Sequence, residues 1–520
     1  MEAGDKQVKS SEARSAGVEL AAVLPNDGIP WYKHKHLVKV NFCVISLMLF
    51  SGSNGFDGSL MNSLLALPWW RDFMDNPTGA WLGFINAAYA LGCAVGYPIA
   101  AWISNRWGRK LPVWISVLLS FIGVAMQTSA QNQATFIIAR FFQGLSQGFT
   151  LSVSLLIAEN VYPTHRGVCS AIYNCGWHFG SVIAAWATFG TRNMTEWSWR
   201  LPSLLQILLP VLGVPGLIMI PESPRWLVSK DRSDEARQNL ANLHTGGDIN
   251  SPLIEFEMTE IELTIKAEME AEKNPWTDLW TTPGNRHRLL ITLSLGTFAQ
   301  WTGNGVVSYY LSIILNSVGI TSVTHQTLIS ACMGLWNLFW SLLAALNVDR
   351  LGRRMLFMSS AIVMLVSYSI ITGLSGSFES TRDSATGLAV IPFLFIYFFG
   401  YDIALTPLVV SYPIEIWPYS LRAKGLALTQ VVSLSFTFFN TFVNPIALDA
   451  IQWRYYFVFL ATIIVMIVVV WFYYPETRGL TLENVALLFD GDEAHVGVAT
   501  AENAIKSSSI KHKHIEESQN

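Results

Sequence analysis

Charge is scarce in this chain. Of its 520 residues only 13% are Asp, Glu, Lys or Arg, while 51% are apolar, and the mean hydropathy is +0.37. Soluble domains of that total length would cover their surfaces with charged groups, so the composition excludes them and describes a chain dissolved in lipid. The net charge of −4 leaves no basic field for a nucleic acid, and the acidic excess is too small to imply a basic partner. The five cysteines, Cys43, Cys93, Cys169, Cys175 and Cys332, form neither an even disulfide framework nor metal-ligand pairs, and read as small core residues. There is no nucleophile with a base, no phosphate loop and no metal-ligand cluster, which argues against a membrane enzyme and calls for no cofactor or metal. Residues 1–36 are polar and hold no apolar core of the kind a cleaved signal peptide needs. That tail is expected to stay where it is made, with the first long apolar run an uncleaved span.

Apolar stretches fill the rest, near 38–63, 80–102, 112–130, 136–158, 168–190, 203–220, 289–316, 327–347, 354–375, 386–412, 424–447 and 454–474. Most reach the roughly 20 residues a bilayer requires. The expected fold is an all-α polytopic membrane protein with twelve transmembrane helices in two six-helix bundles, 38–220 and 289–474. A cytoplasmic N-terminal tail (1–37), a cytoplasmic linker (221–288) and a cytoplasmic C-terminal tail (475–520) complete the chain. Lys33, Lys35, Lys39, Arg106, Arg109, Lys110, Arg166, Arg350, Arg353, Arg354, Arg422 and Lys424 all fall in connections on one side, which the positive-inside rule makes cytoplasmic. Both termini then face the cytosol. The one N-x-S/T site, Asn193-Met194-Thr195, falls in a short outside loop and is a candidate for glycosylation.

The linker breaks the membrane pattern. Ser233-Asp234-Glu235 reads as a helix start and Gly246-Gly247 as a stop, while Ser251-Pro252 opens a second helix with Ile254, Met258, Ile261 and Ile265 at helical spacing. That stripe is expected to pack beneath the bundles.

The two halves repeat each other. Arg106-Trp107-Gly108-Arg109-Lys110 recurs as Arg350-Leu351-Gly352-Arg353-Arg354, Glu159 before Arg166 recurs as Glu415 before Arg422, and Pro221-Glu222-Ser223 recurs as Pro475-Glu476-Thr477. Two parallel six-helix halves around an axis normal to the membrane follow, with a binding site between them and alternating access by rocking.

Asp57 is the only acid between residues 37 and 66, and Arg140 the only charge between 135 and 158. A carboxylate near the bilayer centre costs roughly 2.5–3.5 kcal/mol even on the lenient insertion scale, so it needs a partner or a proton. Both residues lie about five or six residues inside the outer ends of their helices, at a shared depth. A guanidinium is always charged and would hold the acid ionised, and a proton on Asp57 would break the pair and free the helices to move. A purely structural buried pair is the competing reading.

These motifs together resemble the sugar porters of the major facilitator superfamily, over residues 38–485. The Gly-Arg-Lys and Gly-Arg-Arg loops, Pro221-Glu222-Ser223-Pro224-Arg225-Trp226-Leu227 and Pro475-Glu476-Thr477-Arg478-Gly479 carry the resemblance. Gly55-Phe56-Asp57-Gly58-Ser59-Leu60-Met61 and Tyr173-Asn174-Cys175-Gly176-Trp177 look closest to the fungal lactose permease and cellodextrin transporter branch. The resemblance implies proton coupling through Asp57 and Arg140. It implies a sugar site built from Gln300, Trp301, Tyr309 and Tyr310 of the seventh helix, Asn174 of the fifth, and Asn337, Asn440 and Asn444 of the eighth and eleventh. Uncharged amides and aromatic platforms suit a ligand of hydroxyls and apolar C–H faces. Each amide could equally join helices.

The chain departs from the family pattern at three contact positions. Ala299 replaces a glutamine, Gly305 an asparagine and Val410 a sugar-stacking tryptophan. Room for a longer ligand, a disaccharide or short oligosaccharide such as lactose or cellobiose, is the expectation. Asp402, a second intramembrane acid, is read as paired at a helix end, and His178 as a packed or amide-paired group. Arg106, Arg109, Lys110, Arg166, Arg350, Arg353, Arg354 and Arg422 are expected to pair with Glu159, Glu222, Glu415 and Glu476 as a cytoplasmic gate, with Asn105 standing where relatives carry Asp. The reading is a proton-coupled sugar importer, a monomer in the plasma membrane. A passive hexose or polyol uniporter and a non-transporting sugar sensor stay open.

Overall fold

Each apolar stretch is a helix in the computed structural model, which describes residues 31–272, 275–478, 485 and 488–490. The expected tails at 1–37 and 475–520 lie largely outside the described residues, and so do the side chains of Arg166 and Arg350. In the first half the spans are Lys35–Leu64, Gly79–Trp107, Lys110–Thr128, Gln133–Phe149 continued by Leu151–Asn160, Arg166–Thr191, and Trp197–Leu205 continued by Leu208–Met219. The second half has Pro283–Trp301 continued by Asn304–Ser317, Val323–Leu351, Arg353–Thr381, Val390–Ile416, Tyr419–Ile451 and Tyr456–Tyr473. Most run several residues past the apolar stretches, because a helix does not stop where lipid does: polar residues continue it into the headgroups and water. Proline sits inside several spans, as at Pro98, Pro202, Pro407 and Pro445, which membrane helices tolerate when they are packed among neighbours.

The first helix packs along the fifth and sixth, and the second along the fourth, within one half; the ninth packs along the tenth and twelfth within the other. Across the halves the fifth helix meets the eighth and the second meets the eleventh. Small residues permit the closest approaches. A Cβ on Gly55 would fall on the carbonyl of Trp177, and one on Gly180 on the carbonyl of Gly52, so the first and fifth helices touch backbone to backbone beside Asp57.

The linker follows the expected start and stop. Ser233–Leu240 runs into a π-helical turn, Ala241–Thr245, that ends at Gly246 with φ of 71°, and Pro252–Glu272 follows. Ile254, Met258 and Ile261 close a small core with Leu227, Ala236 and Leu240, so the stripe is covered largely by the linker's own helices. His244 ties this core to the fourth helix, with Nδ1 2.8 Å from Glu257 and Nε2 3.2 Å from the carbonyl of Asn160.

Candidate functional site

The seventh helix breaks inside the Gln300-Trp301-Thr302-Gly303 motif. Gly303 has φ of 100°, a left-handed conformation that favours glycine, and Tyr368 fills the space where a side chain would stand. A break strands backbone carbonyls that lipid cannot satisfy. Tyrosine hydroxyls and one amide take them: Tyr401 donates to the carbonyl of Ala299 at 2.8 Å, Asn440 to Gln300 at 2.5 Å, Tyr397 to Thr302 at 3.2 Å and Tyr368 to Gly303 at 3.0 Å. Sequence reasoning missed the three tyrosines, since only the break gives them a purpose.

Several candidate sugar contacts are drawn into this frame. Gln300 donates from its side chain to Ser433 at 3.1 Å. Trp301 leans on Phe436 and Phe439, its indole N–H unpartnered. Asn444 accepts from Tyr455 at 2.9 Å and leaves its amide nitrogen free, while Asn337 is buried with a free carbonyl oxygen. Tyr310 is fully buried, donating to the carbonyl of Thr441 at 2.5 Å and accepting from Asn86 of the other half at 2.9 Å. Its hydroxyl closes the outer side and has no capacity left for a sugar. Tyr309, next in the chain, is only partly buried and lies within electrostatic reach of Arg140 in one half and Tyr401 in the other. Asn174 is exposed, one turn cytoplasmic of His178 on the same helix face. At Gly305 the expected room is already taken: a Cβ there would stand 2.6 Å from the Asn440 amide nitrogen.

Asp57 is fully buried. The structure corrects the expected ion pair: Arg140 Nη1 donates to the main-chain carbonyl of Asp57 at 3.1 Å, and Gln147 Nε2 donates to the carboxylate at 2.8 Å. Gln147 lies two turns from Arg140 on one face of the fourth helix, a spacing that the sequence displays but that goes unread beside a charge. The guanidinium sits 4.8 Å over the Tyr89 ring, and Tyr89 donates to Asn54 at 3.1 Å. Asp57 Oδ1 and Arg140 Nε have no hydrogen-bond partner. One carboxylate oxygen is therefore open to a proton while the nearest cation stays within Coulombic reach.

His178 and Asp402 are corrected as well. They lie on facing helices of opposite halves with Nε2 3.6 Å from Oδ1, so neither serves a helix end. The error has a plain cause, since residues 224 apart in the chain show no local pattern that would join them.

Polar contacts between the halves gather on the outer side. Asn62 accepts from the backbone N–H of Leu311 at 3.0 Å and donates to Ser330 at 3.4 Å, and Arg192 donates to Thr324 at 3.2 Å. In the cytoplasmic half, a groove of about 550 Å³ separates the first and fifth helices from the eighth, lined in part by Asn41, Met48, Cys169 and Leu338. These contacts close the outer side, where a cavity of about 410 Å³ lined in part by Arg71, Ser312 and Asp449 still lies between the halves, and the inner side is parted.

The cytoplasmic charges form two matching clasps. Glu222 accepts from the backbone N–H groups of Arg109 at 2.9 Å and Lys110 at 3.2 Å, and Glu476 from those of Arg353 at 2.8 Å and Arg354 at 3.0 Å. A carboxylate thus caps the unsatisfied start of the third and of the ninth helix. Gly108 and Gly352 precede these caps with φ of 104° and 89°, and a side chain at either would strike the carboxylate. Arg109 also meets Glu159 at 3.4 Å and Arg353 meets Glu415 at 2.9 Å; Ser223 and Thr477 bond the same two acids. These clasps join helices within one half and stand intact while the outer side is closed, so they are not bonds that only a closed inner side makes. Arg106 departs from its expected role, lying over the rings of Trp102 and Trp107. Arg422 belongs to the start of the eleventh helix. Arg288, overlooked in the sequence, holds Asp490 of the C-terminal segment with two bonds of 2.8 and 2.7 Å. Asn193 is exposed in the loop after the fifth helix.

The model of the "Sugar (and other) transporter" family matches residues 43–489. The chain belongs to this family. It is a multi-pass membrane sugar transporter of the major facilitator type and not an enzyme. Among its relatives, the high-affinity glucose transporter of Kluyveromyces lactis is 27% identical over 467 residues, covering 85% of this chain and 83% of that protein. The MFS-type transporter criB of Aspergillus cristatus is 28% identical over 483 residues, covering 91% and 99%. Among solved structures, the inward-open conformation of the xylose transporter XylE from E. coli superposes with a TM-score of 0.71 at 20% identity, covering 87% of this chain and 100% of that one. The proton:xylose symporter XylE bound to 6-bromo-6-deoxy-D-glucose gives 0.69 at 20% identity, covering 87% and 99%.

Proposed function

We propose that this transporter is a proton-coupled sugar importer of the plasma membrane, working as a monomer by alternating access. The observation that carries this reading is Asp57: fully buried, held at one oxygen by Gln147, unpartnered at the other, and near a guanidinium bonded to its own backbone. An acid so placed takes up a proton when the outer side is open and gives it up when the cytoplasmic side admits water. A gradient of two pH units and 100 mV then supplies about 5 kcal/mol, enough to concentrate sugar a few thousand-fold.

Tyr309 and Asn174 are the sugar contacts whose polar ends remain available, with Trp301, Asn337 and Asn444 nearby offering unpartnered atoms. A disaccharide or short oligosaccharide is the substrate class that the sequence departures at Ala299 and Val410 favour. A passive hexose carrier is the second reading, favoured by the filled space at Gly305 and by relatives named as glucose transporters.

Proteoliposomes separate the two. With the outside acid, a panel of mono- and disaccharides should reveal a sugar that accumulates above its external concentration, and a protonophore should return it to simple equilibration. Uptake indifferent to the proton gradient would leave the passive carrier.

A further inference from the structure

Where the outer contacts between the halves end, at the middle of the membrane, two titratable groups face each other. His178 lies near the midpoint of Arg166–Thr191 and Asp402 near the midpoint of Val390–Ile416, and both are buried. Thr406 donates to Asp402 Oδ1 at 2.9 Å, while Asp402 Oδ2 and His178 Nδ1 have no partner. We propose that His178 and Asp402 form a second proton-binding site, shared by the two halves and occupied when the outer side is closed. The proposal rests on the alternating-access reading but not on coupling through Asp57.

Net charge decides how the pair is occupied. Without a proton the pair buries a lone negative charge at the depth where charge is most costly. One proton makes it neutral, whichever partner carries it. Among the described residues no cation stands beside the pair. Cys175, Tyr397 and Tyr401 come within electrostatic reach of Asp402, and none is cationic. On the helices packed against the fifth and tenth, most described charges sit at the ends, as with Lys39, Glu159, Arg200, Arg288, Arg353, Glu379 and Asp449, and the two in mid-span face each other, Asp57 engaged by Gln147 and Arg140 bonded to the Asp57 carbonyl. Asn174 lies one turn below His178 and is exposed. When the halves part on the outer side the pair splits, Asp402 meets water and its proton is free to leave; closing the outer side requires that proton back.

The test is sugar exchange at equal pH on both faces of the membrane, from about pH 5 to pH 9, a span that brackets the ordinary His and carboxyl ranges with margin for burial. It uses the full chain, unaltered and again with Asp57→Asn, so that a limb present in both is not the titration of the first site, and labelled glucose or lactose, whichever the unaltered chain exchanges; should Asp57→Asn exchange nothing, the unaltered chain with and without Asp402→Asn decides. Exchange should fall by about tenfold per pH unit along an alkaline limb, as loss of one proton demands, and Asp402→Asn should flatten that limb. His178→Gln should keep the limb and move its midpoint, to lower pH by about one unit or more where the imidazole carries most of the proton, and to higher pH where Asp402 carries it, since the carboxylate then loses the ring that faces it. A flat profile before Asp402 is changed, an unaltered limb afterwards, or an unmoved midpoint in His178→Gln overturns the proposal. Should Asp402→Asn fail to fold, the His178→Gln midpoint decides. Because no gradient is imposed, failure of gradient-driven accumulation is a separate outcome that counts against the Asp57 reading alone.

Discussion

An Asp57→Asn chain should still carry sugar down its gradient and should no longer concentrate it. The amide matches the carboxyl in size and can keep a hydrogen bond to Gln147, so packing around the first and fifth helices is preserved. It holds no titratable proton. The carboxylate is replaced by a group that is neutral in every step, so the link between proton movement and the rocking of the halves disappears. The expected loss is large. Accumulation driven by about 5 kcal/mol is a few thousand-fold, and without the coupling it falls to unity. Labelled sugar measured inside and outside proteoliposomes under an acid-outside gradient reads this directly, with exchange at equal pH as the check that the protein is folded. Accumulation surviving in Asp57→Asn would move the coupling site elsewhere, whereas loss of exchange as well would show that the carboxylate is needed to hold the helices together.

What the sequence made legible followed from strong physical signals. Twelve helices were readable because most carry the roughly 20 apolar residues that lipid demands, and the orientation because cations collect on one side. The pairing of Glu222 with the 109–110 turn and of Glu476 with the 353–354 turn was foreshadowed by the repeat itself. The depth shared by Asp57 and Arg140 was also readable, but not the atom to which the arginine bonds. That detail depends on a rotamer and on a glutamine that periodicity does not distinguish from other polar residues of the same face. The break at Gly303 and the tyrosine hydroxyls that donate to its carbonyls were hidden, because tyrosine in an apolar run reads as core. His178 and Asp402 were hidden for a different reason: each looks isolated on its own helix, and only the packing of opposite halves makes them a pair.

Tyr310→Phe and Tyr309→Phe should act in opposite ways although the residues are adjacent. Tyr310 has non-helical backbone angles, with φ of −135° and ψ of 26°, and this kink sets its ring and that of Tyr309 in different surroundings. Removing the Tyr310 hydroxyl leaves the Thr441 carbonyl and the Asn86 amide without their bonds, in buried positions. Each buried orphan costs about 1–3 kcal/mol, and the Asn86 share falls only on the outward-closed state, because that bond joins the halves. The equilibrium should therefore shift toward outward-open by about fivefold or more. Sugar offered from outside would half-saturate the Tyr310→Phe chain at a lower concentration and sugar offered from inside at a higher one. Tyr309→Phe removes a hydroxyl that faces the space between the halves, and a lost hydrogen bond to sugar of about 1 kcal/mol raises both half-saturation values by about fivefold. Measuring both faces in oriented proteoliposomes distinguishes a residue that closes the pathway from one that binds its cargo. If the two variants move both values in the same direction, the assignment of Tyr310 to closure fails and both tyrosines belong to the sugar site.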